Sequence, residues 1–436
     1  MTFFRSAVRA TVWAAAAALS LSSVAQAQTA PATASTQSPP PAAASAQTPP
    51  AAPPLQAGFQ DGFFIQTANG DTRLVLGMVA QMDGRFSLDD PLPITNTFTI
   101  RKLRPTFTGQ VARFFTFKFM PDFGNAVANV QDAYFDIRFS PKFRVRTGKD
   151  KTPIGYELIM GDAYLLFPER SLASSLVPNR DIGVQAQGDL AAGRLFYAGG
   201  VFNGIPDGSS SALDLDSNSG KDLAGRIVVQ PFRSSAQPTS AANGLGFQIG
   251  GSTGQQSGAL LPLFRTSVGQ TYFSYLAAAS ANGNRNRVSP AVFYYYKAFG
   301  GFAEYMRSTQ AVAKDAVNTD VTNHGWDVTG SYVVTGEAAT DRGVRPTNNF
   351  DPTAGRWGAL QIVGRYSELH VDPDVFSAGL ASATANQKAQ SFTIAANWYP
   401  VAYIKYYATF ERTKFSGGNA ARPTENVILF RTQLAF

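Results

Sequence analysis

The stretch Asn426-Val-Ile-Leu-Phe-Arg-Thr-Gln-Leu-Ala-Phe436 sets Ile428, Phe430, Thr432, Leu434 and Phe436 on one side of an extended chain, opposite Arg431 and Gln433. Successive side chains of a strand point to opposite faces, so a period of two predicts β structure. The same period runs back through the chain. In residues 72–82, Leu74, Leu76, Met78, Ala80 and Met82 oppose Arg73, Gly77 and Gln81. In residues 113–120, Phe115, Phe117 and Phe119 oppose Thr116 and Lys118. In residues 131–139, Ala133, Phe135, Ile137 and Phe139 oppose Asp132, Tyr134, Asp136 and Arg138. Phe143 and Val145 then alternate with Arg144 and Arg146, and Leu223 and Ile227 with Asp222 and Arg226. Nearer the end, Trp326, Val328, Tyr332 and Val334 share a face, as do Phe392, Ile394, Ala396 and Trp398. Turn-rich clusters at 203–211, 282–286, 341–355 and 416–421 separate such segments. From Gly58 onward the chain reads as one all-β, antiparallel domain.

Composition narrows the chemistry. The 436 residues are 44% hydrophobic but only 15% charged, against about 25% in an average soluble domain. With no cysteine there is no disulfide scaffold, thiolate metal site or thiol nucleophile. Two histidines, His324 and His370, are too few for a three-histidine metal site, and no cofactor is implied. The formal charge of +7 permits an anionic partner without naming one, and no feature points to nucleic acid.

Alternating strands fit either secreted β-sandwiches or a transmembrane barrel. Three features select the transmembrane antiparallel β-barrel. Polar faces carry charges of both signs in mid-strand, apolar faces carry aromatics near strand ends as an interfacial girdle requires, and the last strand ends on an aromatic. Phe115, Phe117, Phe119, Trp326 and Trp398 are accordingly expected to face lipid. Residues 58–436 number 379, and a strand with its share of turn takes about 22–26 residues, which predicts about 16 strands. A barrel of that width leaves an aqueous channel.

Residues 1–27 read as a signal peptide: Arg5 and Arg9 precede the apolar VWAAAAAL (12–19), and Ala25-Gln-Ala27 offers a small-x-small cleavage pattern. Residues 28–57 are an uncharged Ala/Pro-rich stretch with little to bury, expected to be a disordered linker. Export to the bacterial outer membrane follows.

Six stretches together resemble the phosphate-selective porin O and P family: Phe119-Met-Pro-Asp-Phe-Gly124, Gln131-Asp-Ala-Tyr-Phe-Asp136, Arg138-Phe-Ser-Pro141, Leu176-Val-Pro-Asn-Arg-Asp181, Gly200-Val-Phe-Asn-Gly204 and Asn397-Trp-Tyr399. The resemblance implies a sixteen-stranded homotrimeric porin in outer-membrane lipid, with a constriction loop folded into each pore and basic residues along a path for small, phosphate-like anions. An oxyanion in a narrow pore needs its hydration replaced by donors and positive charge, which arginine supplies as a planar fork and lysine as a point charge. The basic residues that fit are Arg101, Lys102 and Arg104, then Arg113 and Lys118, Arg138, Arg144, Arg146, Lys149 and Lys151. Asp132 and Asp136 share the lumen face and are placed to orient them. The irregular run 152–178 is the candidate for the inward loop.

A water-filled lumen also tolerates charges that only solvate or pair across strands. The family's phosphate-specific branch has two adjacent arginines where this chain has Arg101 and Lys102, and its acidic partner matches Asp132. The branch's further cations correspond to Met78 and Leu158 here, and its serines to Gly161 and Asp162. Two cations fewer and one acid more weaken the expectation of tight phosphate binding, but not of a pore. The reading is therefore an outer-membrane porin preferring small anions such as phosphate or polyphosphate, the alternative being a general diffusion porin for small hydrophilic solutes. An outer-membrane lipase or protease needs a nucleophile with a positioned base. His324 and His370, read as lying at strand edges or loops with no Ser/Asp motif near, do not provide it, so no catalytic residue is assigned.

Overall fold

A computed structural model describes residues 54–436, apart from 89–94, 212–215, 217 and 238. The expected signal peptide, and the linker up to residue 53, lie outside the described residues. The strands are β1 (Leu55–Phe59), β2 (Phe63–Thr67), β3 (Arg73–Ser87), β4 (Thr97–Val111), β5 (Phe115–Asp122), β6 (Asn129–Ser140), β7 (Phe143–Lys151), β8 (Arg180–Leu190), β9 (Leu195–Phe202) and β10 (Asp222–Val229). They continue as β11 (Leu245–Gly258), β12 (Leu263–Arg265), β13 (Thr271–Ser274), β14 (Ser280–Tyr296), β15 (Phe299–Lys314), β16 (Val317–Val333), β17 (Ala359–His370), β18 (Lys388–Val401), β19 (Ile404–Ser416) and β20 (Glu425–Ala435).

Sixteen of them, β3–β11 and β14–β20, close into an antiparallel barrel, each beside its neighbour in sequence. Closure is made by β20 on β3, from Val427 opposite Ser87 to Ala435 opposite Val79. The hairpin β1–β2 continues the sheet along the start of β3, with Phe63 opposite Leu76. Strand structure thus begins at Leu55, inside the stretch read as linker. No helix of the described residues is long and apolar enough to cross a membrane, and the crossing is made by strands.

Alternation predicts the faces correctly. Phe98, Phe115, Phe135, Ile227, Phe392 and Phe430 are exposed on the outer surface, whereas Gln81, Asp83, Lys102, Asp132, Arg365 and Arg431 are buried inside. Tight turns at 112–114, 141–142, 297–298 and 402–403 lie at the end that holds the last residue, Phe436. Apart from the 334–358 connection, which shares the Phe436 end, the longer loops such as 152–179, 259–279 and 371–387 lie at the opposite end, which marks it as the extracellular side of an outer-membrane barrel.

The apolar core lies between this wall and the loops that fold into the lumen. The run 152–179 enters the barrel with a short helix, α1 (Tyr156–Ile159), and packs Ile154, Leu158, Leu172, Leu176 and Val177 against Met306, Val312, Val321 and Leu369. Phe264, Tyr272 and Phe273 from the β12–β13 ribbon and Val375 and Leu380 from the β17–β18 loop complete the cluster. Gly155 opens α1 at φ +80°, with Val177 3.0 Å from where a Cβ would sit, so only glycine fits comfortably there. Leu176 is fully buried. Leu176→Ala is expected to cost about 2–5 kcal/mol and to loosen the loop, seen as a lower thermal unfolding midpoint and noisier open-channel current.

Candidate functional site

The inward loop crosses the lumen and is held on opposite walls by different chemistry. On the β14–β17 side, Glu304 accepts hydrogen bonds from Tyr156 N (2.5 Å), Glu157 N (3.1 Å) and Ser289 Oγ (2.5 Å). Glu157 pairs with Arg365 (3.2 Å) and accepts from Ser171 N and Ser174 Oγ, both at 2.8 Å. On the β18–β20 side the loop offers carbonyls: Leu165 O accepts from Lys405 Nζ at 2.8 Å and Tyr407 Oη at 3.1 Å, and Leu166 O from Asn397 Nδ2 at 2.8 Å. Backbone groups that no ladder satisfies are thereby paired inside the barrel.

Against β3–β8 the loop presents acids to a basic wall. Glu169 meets Arg101 (2.7 Å), Arg85 (3.2 Å) and Arg431 (3.3 Å). Asp162 meets Lys102 and Arg170, each at 3.0 Å, together with Arg104, and lies 3.8 Å from Arg180. Burial alone raises the affinity of both carboxyls for a proton. The surrounding cations overcome it, Arg101 and Arg431 at Glu169, and Lys102, Arg170 and Arg104 at Asp162, so both stay well below the usual carboxylate range.

Arg101 and Lys102 reach this place through a β-bulge. Gln81 pairs with Lys102 while Met82 pairs with Ile100, so Arg101 is an extra residue and two consecutive side chains serve the lumen. The turn after β5 supports the bulge. Asp122 accepts from Leu103 N (3.2 Å), Gly124 N (3.0 Å) and Arg104 Nε (2.7 Å). A Cβ on Gly124 would stand 2.5 Å from Arg101 O, so the turn seats directly on the bulged backbone. The Pro-Asp-Phe-Gly stretch thus positions two of the basic residues.

The other expected residues are placed as follows. Lys118 and Arg180 share Asp132, each at 2.7 Å. Arg146 pairs with Asp136 at 2.7 Å and covers the Tyr134 ring at 3.7 Å. Lys151 Nζ donates to Leu158 O (2.8 Å) and Met160 O, and Lys149 Nζ to Ser211 O. Arg144 bonds Gln187 (3.1 Å), and Arg138, opposite it in register, is exposed. The structure leaves those two, with Arg113 in the turn after β4, outside the constriction.

Two chambers flank the loop. The extracellular one, about 520 Å³, is lined by Arg85, Arg101, Arg170, Arg265 and Arg365 against Glu169 and Glu411. The periplasmic one, about 590 Å³, is lined by Arg104, Lys118, Lys151, Arg180, Arg342 and Arg345 against Asp61, Asp132, Asp150 and Asp162. Sequence reasoning missed Arg85, Glu157, Asp162 as a constriction acid, Glu169, Arg170, Arg180, Arg365 and Arg431. For Arg365 and Arg431 the in-facing parity of a period-two strand was the available signal.

The histidines require a correction. His324 lies inside β16, not at an edge or in a loop, and stacks on His370 of β17 at 4.8 Å on the outer surface. Among the described residues neither ring is hydrogen-bonded to a nucleophile, and His370 Nε2 lies 2.9 Å from Glu368. Among the described residues no group of three or more His, Asp or Glu is arranged to hold a metal.

The model of the phosphate-selective porin O and P family matches residues 76–436. The chain belongs to that family. It is an outer-membrane porin, a channel protein by family and fold. This porin's fold is similar to that of the outer-membrane channel DcaP of Acinetobacter baumannii, with TM-score 0.56 and 13% identity over 87% of this chain and 100% of that one. It is also similar to an anion-selective porin from Comamonas acidovorans (TM-score 0.51, 12% identity, 84% and 100% covered). A third relative in fold is the trimer form of OmpT from Vibrio cholerae (TM-score 0.51, 8% identity, 84% and 99% covered). At these identities the likeness is one of fold. Comparison with curated proteins gives no match.

Proposed function

We propose that this porin is a passive, water-filled channel that prefers small anions such as phosphate or polyphosphate, with Arg101, Lys102, Arg104, Lys118, Arg180 and Lys151 lining the path. One observation carries the reading: cationic side chains outnumber anionic ones in the lining of both chambers, five to two above the loop and six to four below it. Walls of one prevailing sign concentrate ions of the other sign, more strongly where water is scarce. Residues 1–27 act as the export signal and the working unit is a homotrimer. Zero-current potentials across planar bilayers in a KCl gradient test the proposal. A potential displaced toward the chloride limit is expected, and one displaced toward potassium overturns it.

The second reading is a weakly selective diffusion pore for small hydrophilic solutes. It is favoured by the pairing of Arg101, Lys102, Arg104 and Lys118 with acids, which leaves a modest net field. Under that reading, inorganic phosphate titrated into chloride leaves single-channel conductance unchanged. Under the first reading it lowers it.

A further inference from the structure

The outer surface of such a barrel is apolar along its middle, yet one sector carries a row of basic groups. Four registered positions on consecutive strands stand side by side: Arg307 opposite His324, His324 opposite His370, and His370 opposite Lys388. At a strand spacing of about 4.8 Å the row spans roughly 14 Å. Arg412 and Lys414 extend it on β19, where Lys414 stands opposite Gln390. Arg307, Arg412 and Lys414 are exposed, and none has a salt bridge among the described residues.

The row is built rather than scattered. Glu368, just below it, accepts from Trp326 Nε1 (2.9 Å), Tyr366 Oη (3.1 Å) and Gln390 Nε2 (3.1 Å), and contacts His370 Nε2 at 2.9 Å and Lys388 Nζ at 3.3 Å. On the periplasmic side of the row the same faces turn apolar and aromatic, with Tyr305, Val328, Phe392 and Ile394 exposed. The cations therefore sit immediately above an aromatic girdle on the side of the long loops, at the depth of the outer-leaflet headgroups. The sector around β4 and β5 is different: there Phe98, Ile100 and Phe123 are exposed at the same end.

We propose that the row formed by Arg307, His324, His370 and Lys388, flanked by Arg412 and Lys414, binds the phosphate groups of an anionic outer-leaflet lipid. Charge complementarity favours a lipid phosphate over a second copy of this chain, because the buried core of a contact between protein copies is depleted in charged residues. In the head-to-tail contact of a trimer the next copy would have to meet the row with acids on its own outer wall, whereas the apolar face at Phe98, Phe135 and Phe139 makes no such demand. Each cation close to an anionic lipid surface strengthens binding several-fold.

The test uses the full chain and the variant Arg307→Gln/Lys388→Gln/Arg412→Gln/Lys414→Gln. Native mass spectrometry follows titration with a diphosphorylated, acylated glucosamine disaccharide and with its dephosphorylated form. The parent is expected to bind the phosphorylated lipid about tenfold or more tightly than the dephosphorylated one, and the variant to lose that difference. Single-channel conductance should be unaltered, since none of the four residues faces the lumen. Equal affinity of the parent for both lipids overturns the proposal, as does a variant that keeps the preference. A variant that loses oligomers present in the parent also overturns it, assigning the face to a contact between copies.

Discussion

Asp162→Asn is expected to raise the anion-over-cation permeability ratio of the channel about tenfold. Asp162 is a loop carboxylate lying within 3.0 Å of Lys102 and Arg170, bonded to Arg104, and 3.8 Å from Arg180. It occupies, as a tethered anion, the place where a permeating anion would meet those four cations. The amide keeps the shape and one acceptor but removes the charge, and unit charges about 4 Å apart interact by about 4 kcal/mol at an effective dielectric of 20. Salt and water screen much of that, so about a tenfold effect on selectivity is the expected remainder. Inorganic phosphate should then block chloride current through the variant at concentrations that leave the parent unaffected. The substitution also leaves buried cations without a counter-ion, so a thermal destabilisation of about 3–5 kcal/mol accompanies it. An unchanged zero-current potential in a variant that still forms channels would show that Asp162 does not govern selectivity.

Replacing Arg101 and Lys102 together by alanine is expected to move selectivity from anion preference toward neutrality. The partners left behind decide the direction. Glu169 keeps only Arg85 and Arg431, and Asp162 loses its Lys102 contact. Both carboxyls remain ionised at neutral pH, because the remaining cations still hold them down. Two positive charges are therefore lost beside the inward loop while both acids keep theirs, so the cationic excess shrinks without reversing. The zero-current potential in a salt gradient should fall toward zero, with a larger change at 0.1 M than at 1 M salt. A parent-like potential would assign the two residues to architecture alone.

Much of this was readable from residue order. The period of two in 72–82, 131–139 and 426–436 named the strands and their faces, and chain length divided by strand spacing predicted sixteen. The irregular run 152–178 stood out as a loop too long for a turn, and it is the segment that enters the lumen. The basic excess between Arg101 and Lys151 pointed at the wall on which that loop's acids lie. Other features were hidden for identifiable reasons. Alternation assigns Arg101 and Lys102 to opposite faces, and only the bulge opposite Gln81 and Met82 brings both inward. The row at Arg307, His324, His370 and Lys388 comes from four strands whose register no local pattern reveals.

By itself the sequence determined the class of fold, the membrane-facing stripes and the supply of charge, because those depend on neighbours one or two residues apart. Tertiary structure alone decided how the charge is spent. Glu157 meets Arg365 across 208 positions, and Arg431 meets Asp83 across 348. Such pairs exist only once β20 closes on β3 and the loop has folded into the lumen. Whether a lumen arginine faces a passing anion or a loop carboxylate is a matter of a few ångströms between distant segments, and that distance is set by barrel closure and loop packing.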